Sequence, residues 1–132
     1  SSAASDVYKR QGINQVRFTF EYDERIHKKK DFEKIFSCGC RKILPFVTIL
    51  YLTGLSHQVV RLGLVTSRKV GGAVVRNKIK RRLREIFRLN KHRIKRGTDV
   101  VFISKAPIAE LKYDELERKI ISTLRAVELI SG

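Results

Sequence analysis

Between residues 68 and 96 lie thirteen Lys and Arg side chains and a single acid, Glu85, so this stretch carries twelve of the sixteen net positive charges of the chain. A charge run usually marks a solvated helix face, but such faces interleave both signs so that opposite charges meet four residues apart. Here Arg76, Lys80, Arg84 and Arg88 recur every fourth residue, and each like-charged pair destabilises a helix by roughly 0.2–0.5 kcal/mol. A polyanion laid along that row would relieve the cost. The chemistry on offer is phosphate recognition, with guanidinium forks on Arg76 and Arg81 that lysine cannot copy. Just before the run, Gly71 and Gly72 allow a phosphate close to the backbone, and the free N–H groups of a first helical turn favour anions. Asn77 can bond a base edge, a 2′-hydroxyl or a neighbouring backbone group.

Hydrolytic chemistry is poorly supplied. A protein nuclease holds its divalent metals with carboxylates, and the basic run offers only Glu85, four residues from Arg81 and three from Arg88, where an ion pair is the simpler use. His27, His57 and His92 stand in polar or basic settings with no Cys or carboxylate at ligand spacing, and are expected at the surface. Cys38 and Cys40 are separated only by Gly39. A bridge that tight would be strained, and one C-x-C lacks the second ligand pair of a structural zinc site, so two reduced thiols at a helix end are expected. No catalytic residue and no metal ligand is assigned to the protein.

The 132 residues suffice for one compact domain, and 42% hydrophobic content can supply its core. A charge of +16 and a pI near 10.4 call for a polyanionic partner, either nucleic acid or an anionic membrane surface. No apolar run approaches the ~20 residues of a membrane span, and no signal peptide is evident. The expected compartment is therefore the cytoplasm. Residues 1–11, SSAASDVYKRQ, resemble the in-frame translation of a transposon-type sequencing adapter. Residues 1–16 are accordingly expected to be adapter-derived or disordered, and residues 17–132 to form a single domain.

Asp31 is expected to cap a short helix reaching Cys38, with Phe32, Ile35 and Phe36 on one face. Residues 46–53 and 59–66, rich in β-branched and aromatic types, read as two strands joined by a turn and paired as a hairpin, with Arg61 offset from apolar neighbours. The loop at residues 67–72 leads into a long helix whose Val75, Ile79, Leu83, Ile86 and Phe87 form the core stripe. Gly97 closes that segment. Residues 99–104 read as a strand covered on both faces. Beyond Pro107, residues 113–129 form a last helix with Leu116, Ile120, Leu124 and Val127 inward. The order is helix, two or more strands, helix, strand, helix: an α/β sandwich with helices against one sheet.

At this point a resemblance becomes specific. Residues 69–85, KVGGAVVRNKIKRRLRE, resemble the signature of the bacterial ribonuclease P protein family, an Arg-Asn-Arg core followed by a Lys-Arg pair and a further Arg. The matching positions are Arg76, Asn77, Lys78, Lys80, Arg81 and Arg84. Lys78 stands where the family most often has Arg, which keeps the charge without the fork. Asp31-Phe32 with Phe36 resembles the family's first helix, and Ala106-Pro107 fits its C-terminal part, so the resemblance spans residues 25–127. It implies an α+β fold of four strands in a mixed sheet and three helices, in the order α-β-β-β-α-β-α, with a ribosomal-protein-like, left-handed β-α-β crossover. The general rule favours the right-handed hand.

The resemblance further implies the protein subunit of an endoribonuclease that matures the 5′ ends of tRNA. Catalytic RNA would be held by Arg68, Lys69, Arg76, Asn77, Lys78, Lys80, Arg81 and Arg84. The single-stranded 5′ leader of precursor tRNA would occupy a cleft between the first helix and the sheet. Magnesium would belong to the RNA subunit, with no cofactor on the protein, no membrane partner and no obligate protein partner. Periodicity alone makes Phe32 and Phe36 core. Partial exposure would instead suit bases of any sequence, since every base has a π-face, and the family likeness favours a mixed role, with Tyr51 and Phe46 as possible cleft neighbours. The rivals are a ribosomal or other structural RNA-binding protein, a major-groove DNA binder and a free-standing nuclease.

Overall fold

A computed structural model describes residue 20 and residues 22–130. The expected adapter-derived segment, residues 1–16, lies outside the described residues. The elements run α1 (Lys29–Cys38), β1 (Cys40–Ile43), β2 (Val47–Leu52), β3 (Val60–Thr66), α2 (Ala73–Asn90), β4 (Thr98–Ser104) and α3 (Tyr113–Ala126). The four strands form one mixed sheet in the order β1-β2-β4-β3. The β1–β2 and β2–β4 pairs are antiparallel, and β3–β4 is parallel. Parallel neighbours need a crossover connection, and α2 is that crossover.

The hairpin expected between residues 46–53 and 59–66 does not form. β4 lies between the two strands and pairs with both. Its Val100, Val101 and Phe102 are buried on both faces of the sheet, so β4 gains most from a central place, with a ladder on each edge and a layer on each side. The connection after β2 is pinned to the approach to β4 instead. Leu55 N–H donates to the Gly97 carbonyl and Gly97 N–H to the Val59 carbonyl, both at 2.9 Å.

Alternation of side chains along the strands gives the sheet two apolar layers. On one face Val47, Ile49, Val60, Leu62, Val100 and Phe102 pack with Ile79, Leu83, Ile86 and Phe87 of α2 and Leu116, Ile120 and Leu124 of α3. On the other, Leu50 and Val101 meet Ile35 of α1 and Ile26, flanked by Phe32. Thus α2 and α3 share one face and α1 covers part of the other. Val75, expected in the core stripe, is 36% exposed at the first turn of α2. Residue 127, expected to be helical, caps α3, and Val127 is half-buried there.

The edges differ. All four residues of β1 are exposed. Along β3, Arg25 forms a parallel bridge with Leu62, and Ile26 N–H donates to the Leu62 carbonyl at 3.0 Å. That incoming segment is tied to the end of α2. The Lys91 ammonium, in the turn after α2, donates to both Glu24 carboxylate oxygens at 2.6 Å with both side chains nearly buried. The Phe20 ring meets Phe87 edge-on at 5.4 Å.

Gly97 has φ +75°, and a Cβ there would come within 2.7 Å of the Leu55 carbonyl oxygen. Gly97→Ala is expected to destabilise the fold by about 1–3 kcal/mol, read by urea unfolding followed by circular dichroism. An unchanged midpoint would mean that this junction is not under constraint.

Candidate nucleic-acid interface

α2 turns its apolar stripe to the sheet, and the opposite ridge follows from helical spacing. Val74, Asn77, Lys78 and Arg81 fall at i, i+3, i+4 and i+7, and all four are exposed. Arg76, Lys80 and Arg84 flank this ridge and are half-buried. The row of Arg76, Lys80, Arg84 and Arg88 is therefore the flank of the cationic side, not its crest. Arg68 and Lys69 extend it from an exposed 3₁₀ turn, Arg68–Val70, that Val70 anchors by its burial. Gly72 precedes α2 without a side-chain cap, and no atom lies within 4 Å of where its Cβ would stand. The helix entry is open to solvent.

The fold sorts the cations of this stretch. Arg82 donates to the Leu111 carbonyl at 3.0 Å, and Arg93 to the Asn90 side chain at 3.1 Å. Arg88 grips Glu85 through two bonds of 2.9 and 2.6 Å. Those bonds hold the Glu85 carboxyl below its usual range, against partial burial that pushes it up. By contrast, none of Arg68, Lys69, Arg76, Lys78, Lys80, Arg81 and Arg84 forms an ion pair with a described carboxylate. Burial, and then the neighbouring Arg25 and Arg81, push the Arg84 guanidinium below the ordinary arginine range. Nor does any described acceptor reach the buried Nε of Arg76. These are donors that a phosphate would satisfy. Arg25, far before the run in sequence, joins this side only through the fold.

On the other face of the sheet, a charged cluster holds the start of α1. The helix starts at Lys29 with Lys28 as its cap residue, so Asp31 is not the cap. Its carboxylate instead meets Arg61 at 3.4 Å, while Arg61 makes two bonds of 2.8 and 2.7 Å to the buried Asp99. The register sets Arg61 directly opposite Asp99. His57, expected at the surface, is half-buried and lies 2.9 Å from the same carboxylate. This charged cluster ties the first turn of α1 to β3 and β4.

Phe32 lies against Gly63, where a Cβ would come within 2.7 Å of the ring, and it flanks the inner cluster beneath α1. Phe36, one turn later, is 40% exposed. Both aromatic residues thus stand where core meets solvent. The cross-strand row Ile43, Thr48, Ile103 and Val65 is paired in register on this face, with Ile43 exposed and Ile103 and Val65 half-buried. Tyr51 and Phe46 are not cleft neighbours: both pack into the core on the α2 and α3 face, because strand parity turns Tyr51 away from Leu50. Cys38 and Cys40 are free and exposed. Among the described residues, no three His, Cys, Asp or Glu side chains gather at metal-binding geometry, and no helix is long and apolar enough to cross a membrane.

A mixed four-stranded sheet, a cation-bearing crossover helix and two half-exposed aromatic residues on the opposite face define a small basic α+β protein suited to meet a polyanion. Comparisons with known proteins agree. The sequence model of the Ribonuclease P family matches residues 20–128. The ribonuclease P protein component of Alkaliphilus metalliredigens is 33% identical over 109 residues, covering 83% of this chain and 97% of the relative. That of Geobacillus kaustophilus is 38% identical over 101 residues, covering 76% and 84%. Among solved structures, the RNase P protein of Staphylococcus aureus superposes with a TM-score of 0.75 at 28% identity, covering 82% of this chain and 98% of that one. The RNase P protein of Thermotoga maritima gives a TM-score of 0.70 at 34% identity, covering 83% and 99%. The chain belongs to the bacterial ribonuclease P protein component family, whose general role is in tRNA 5′ processing.

If the bare backbone of Gly63 seats Phe32, then Gly63→Ala must displace the ring, at a cost of about 1–3 kcal/mol. Phe32→Ala should cost less in the Gly63→Ala background than alone, a coupling of about 0.5–3 kcal/mol in a double-mutant cycle. Strict additivity would show that the two do not touch in solution.

Proposed function

We propose that this chain is the protein subunit of a ribonuclease P holoenzyme that works by holding RNA on two faces. The turn at Arg68 and Lys69 and the outer side of α2 (Arg76, Asn77, Lys78, Lys80, Arg81, Arg84) grip the catalytic RNA. The cleft between α1 and the sheet, edged by Phe32 and Phe36, takes the single-stranded 5′ leader of precursor tRNA. Cleavage belongs to the RNA subunit and its magnesium, and the protein adds leader affinity and easier use of that magnesium. The particle works in the cytoplasm, with neither a membrane nor an obligate protein partner.

The observation that carries this proposal is the row of cations without described carboxylate partners on a helix fixed by its other side. Lys and Arg draw RNA through its phosphates irrespective of sequence, and half-exposed aromatic rings stack on any base. That combination suits leaders of varied sequence. A structural RNA-binding protein would share the first feature but has no use for a leader cleft.

The deciding experiment adds the protein to a bacterial RNase P RNA and a leader-bearing precursor tRNA at low magnesium. Restored 5′ processing is expected, with no cleavage by the protein alone. Binding without processing would favour the structural RNA-binding alternative, and cleavage without RNA a free-standing nuclease.

Arg76→Ala with Arg81→Ala should weaken binding to the catalytic RNA and flatten its salt dependence, by about 0.7–0.9 in the logarithmic slope for each phosphate no longer neutralised. An unchanged slope would remove these residues from the interface. Phe36→Ala should narrow the preference for leader-bearing over mature tRNA, by about fivefold or more if one base stack is removed, with little effect on RNA-subunit affinity. Unfolding of that variant before any such effect would make Phe36 a core residue.

A further inference from the structure

We propose that Tyr22 and His27 form a stacking platform for one unpaired base of the catalytic RNA, continuing the phosphate-binding side of α2 around the edge of β3. The inference rests on the RNA-binding role assigned above to α2. The two rings lie face to face, with centroids 3.9 Å apart and planes 19° from parallel. The Tyr22 carbonyl can only accept, so at 2.8 Å from His27 Nε2 it fixes the proton of the imidazole on that nitrogen and the ring in place. With one ring face against His27, the Tyr22 side chain is still 76% exposed. A large apolar ring held flat and open in this way is preorganised for a planar partner, and a nucleobase is such a partner.

The surroundings specify which RNA. The segment carrying the platform is fastened to α2: Glu24 is buried against Lys91 just past the helix, and Phe20 packs on Phe87. Arg25 stacks over the Phe20 ring at 4.5 Å and lies near enough to Arg84 to disfavour its charge. The platform therefore sits on a segment fastened to the end of α2, with Tyr22 three residues before an Arg25 that faces one of the cations proposed to hold the catalytic RNA. Lys28, Lys29 and Lys30 follow, all exposed, and Asp23 is the exposed carboxylate of the preceding turn. A strand whose phosphates run along Arg84 and Arg25 would meet the open face of Tyr22 next.

The test uses the full chain with a bacterial RNase P RNA transcript, measuring affinity across a range of salt concentrations. Tyr22→Ala should weaken binding by about fivefold, the lower end for removal of one base stack, while leaving the salt slope unchanged, because stacking releases no counterions. Tyr22→Phe should bind like the parent, and Tyr22→Leu should bind more weakly despite its apolar side chain. The weakening should be the same whether the tRNA substrate bears a leader or not. A Tyr22→Ala affinity equal to the parent's, while Arg76→Ala with Arg81→Ala still weakens binding, overturns the platform and leaves the α2 surface standing. If neither change has an effect, the α2 surface itself fails. A weakening seen only with leader-bearing substrate overturns the assignment to the catalytic RNA, as does a Tyr22→Ala protein that melts earlier than the parent in proportion to its reduced affinity.

Discussion

Helix α2 must hold cations at a spacing that opposes its own formation, and the sheet beneath it supplies the opposing force. Arg76, Lys80, Arg84 and Arg88 make successive like-charged pairs, each costing roughly 0.2–0.5 kcal/mol. Ile79, Leu83, Ile86 and Phe87 are all but fully buried on the other side, and each such burial contributes about 1.5–3 kcal/mol. Burial therefore outweighs repulsion several-fold, and the helix can keep its outer side cationic. Glu85, the acid in the row, is engaged by Arg88 and removes little of the field that remains.

The central position of β4 follows from the same economy of burial and decides where everything else lies. Being apolar on both faces, β4 needs a helical layer on each side and a strand on each edge. Its parallel pairing with β3 forces the chain through α2, which places the cationic side outside one layer. Its other face receives α1, tied down by Asp31, Arg61 and Asp99 and seated by Phe32 on Gly63. One sheet thereby sets the cationic side of α2 and the aromatic pair Phe32 and Phe36 on opposite faces and fixes their relative placement.

Burial also distributes charge. Lys91 with Glu24, and Arg61 with Asp99, are withdrawn into the fold as paired groups. Breaking such a pair strands a buried charge, so these cations serve architecture. The cations proposed to meet RNA lie instead on α2, in the turn before it and, with Arg25, on the segment before α1. Net charge alone could not make that division, since Arg82 and Arg81 are neighbours in sequence with opposite fates. Arg82 turns inward to the Leu111 carbonyl while Arg81 stays exposed.

Much of this was legible in the chain because it is local. The stripe at residues 79, 83, 86 and 87, the last helix through Leu116, Ile120 and Leu124, and the apolar strand at residues 99–104 all follow from periodicity within a few turns. The basic motif likewise lies within one helix. What involved partners distant in sequence was not legible. Strands β2 and β3 look like a hairpin until β4, far later in the chain, claims the space between them. Asp31 has the composition of a cap but finds Arg61, and His57 finds Asp99. Parity in β2 turns Tyr51 from the cleft to the core, and the proximity of Arg25 to Arg84 exists only once the N-terminal segment lies along β3. Sequence determined the helices, the three apolar strands and the charge they carry, because backbone periodicity and side-chain chemistry act over a few residues, whereas the exposed strand β1 has no such signal. Tertiary structure alone decided which charges face solvent and which aromatics stay half-exposed, because burial is settled by which surfaces meet.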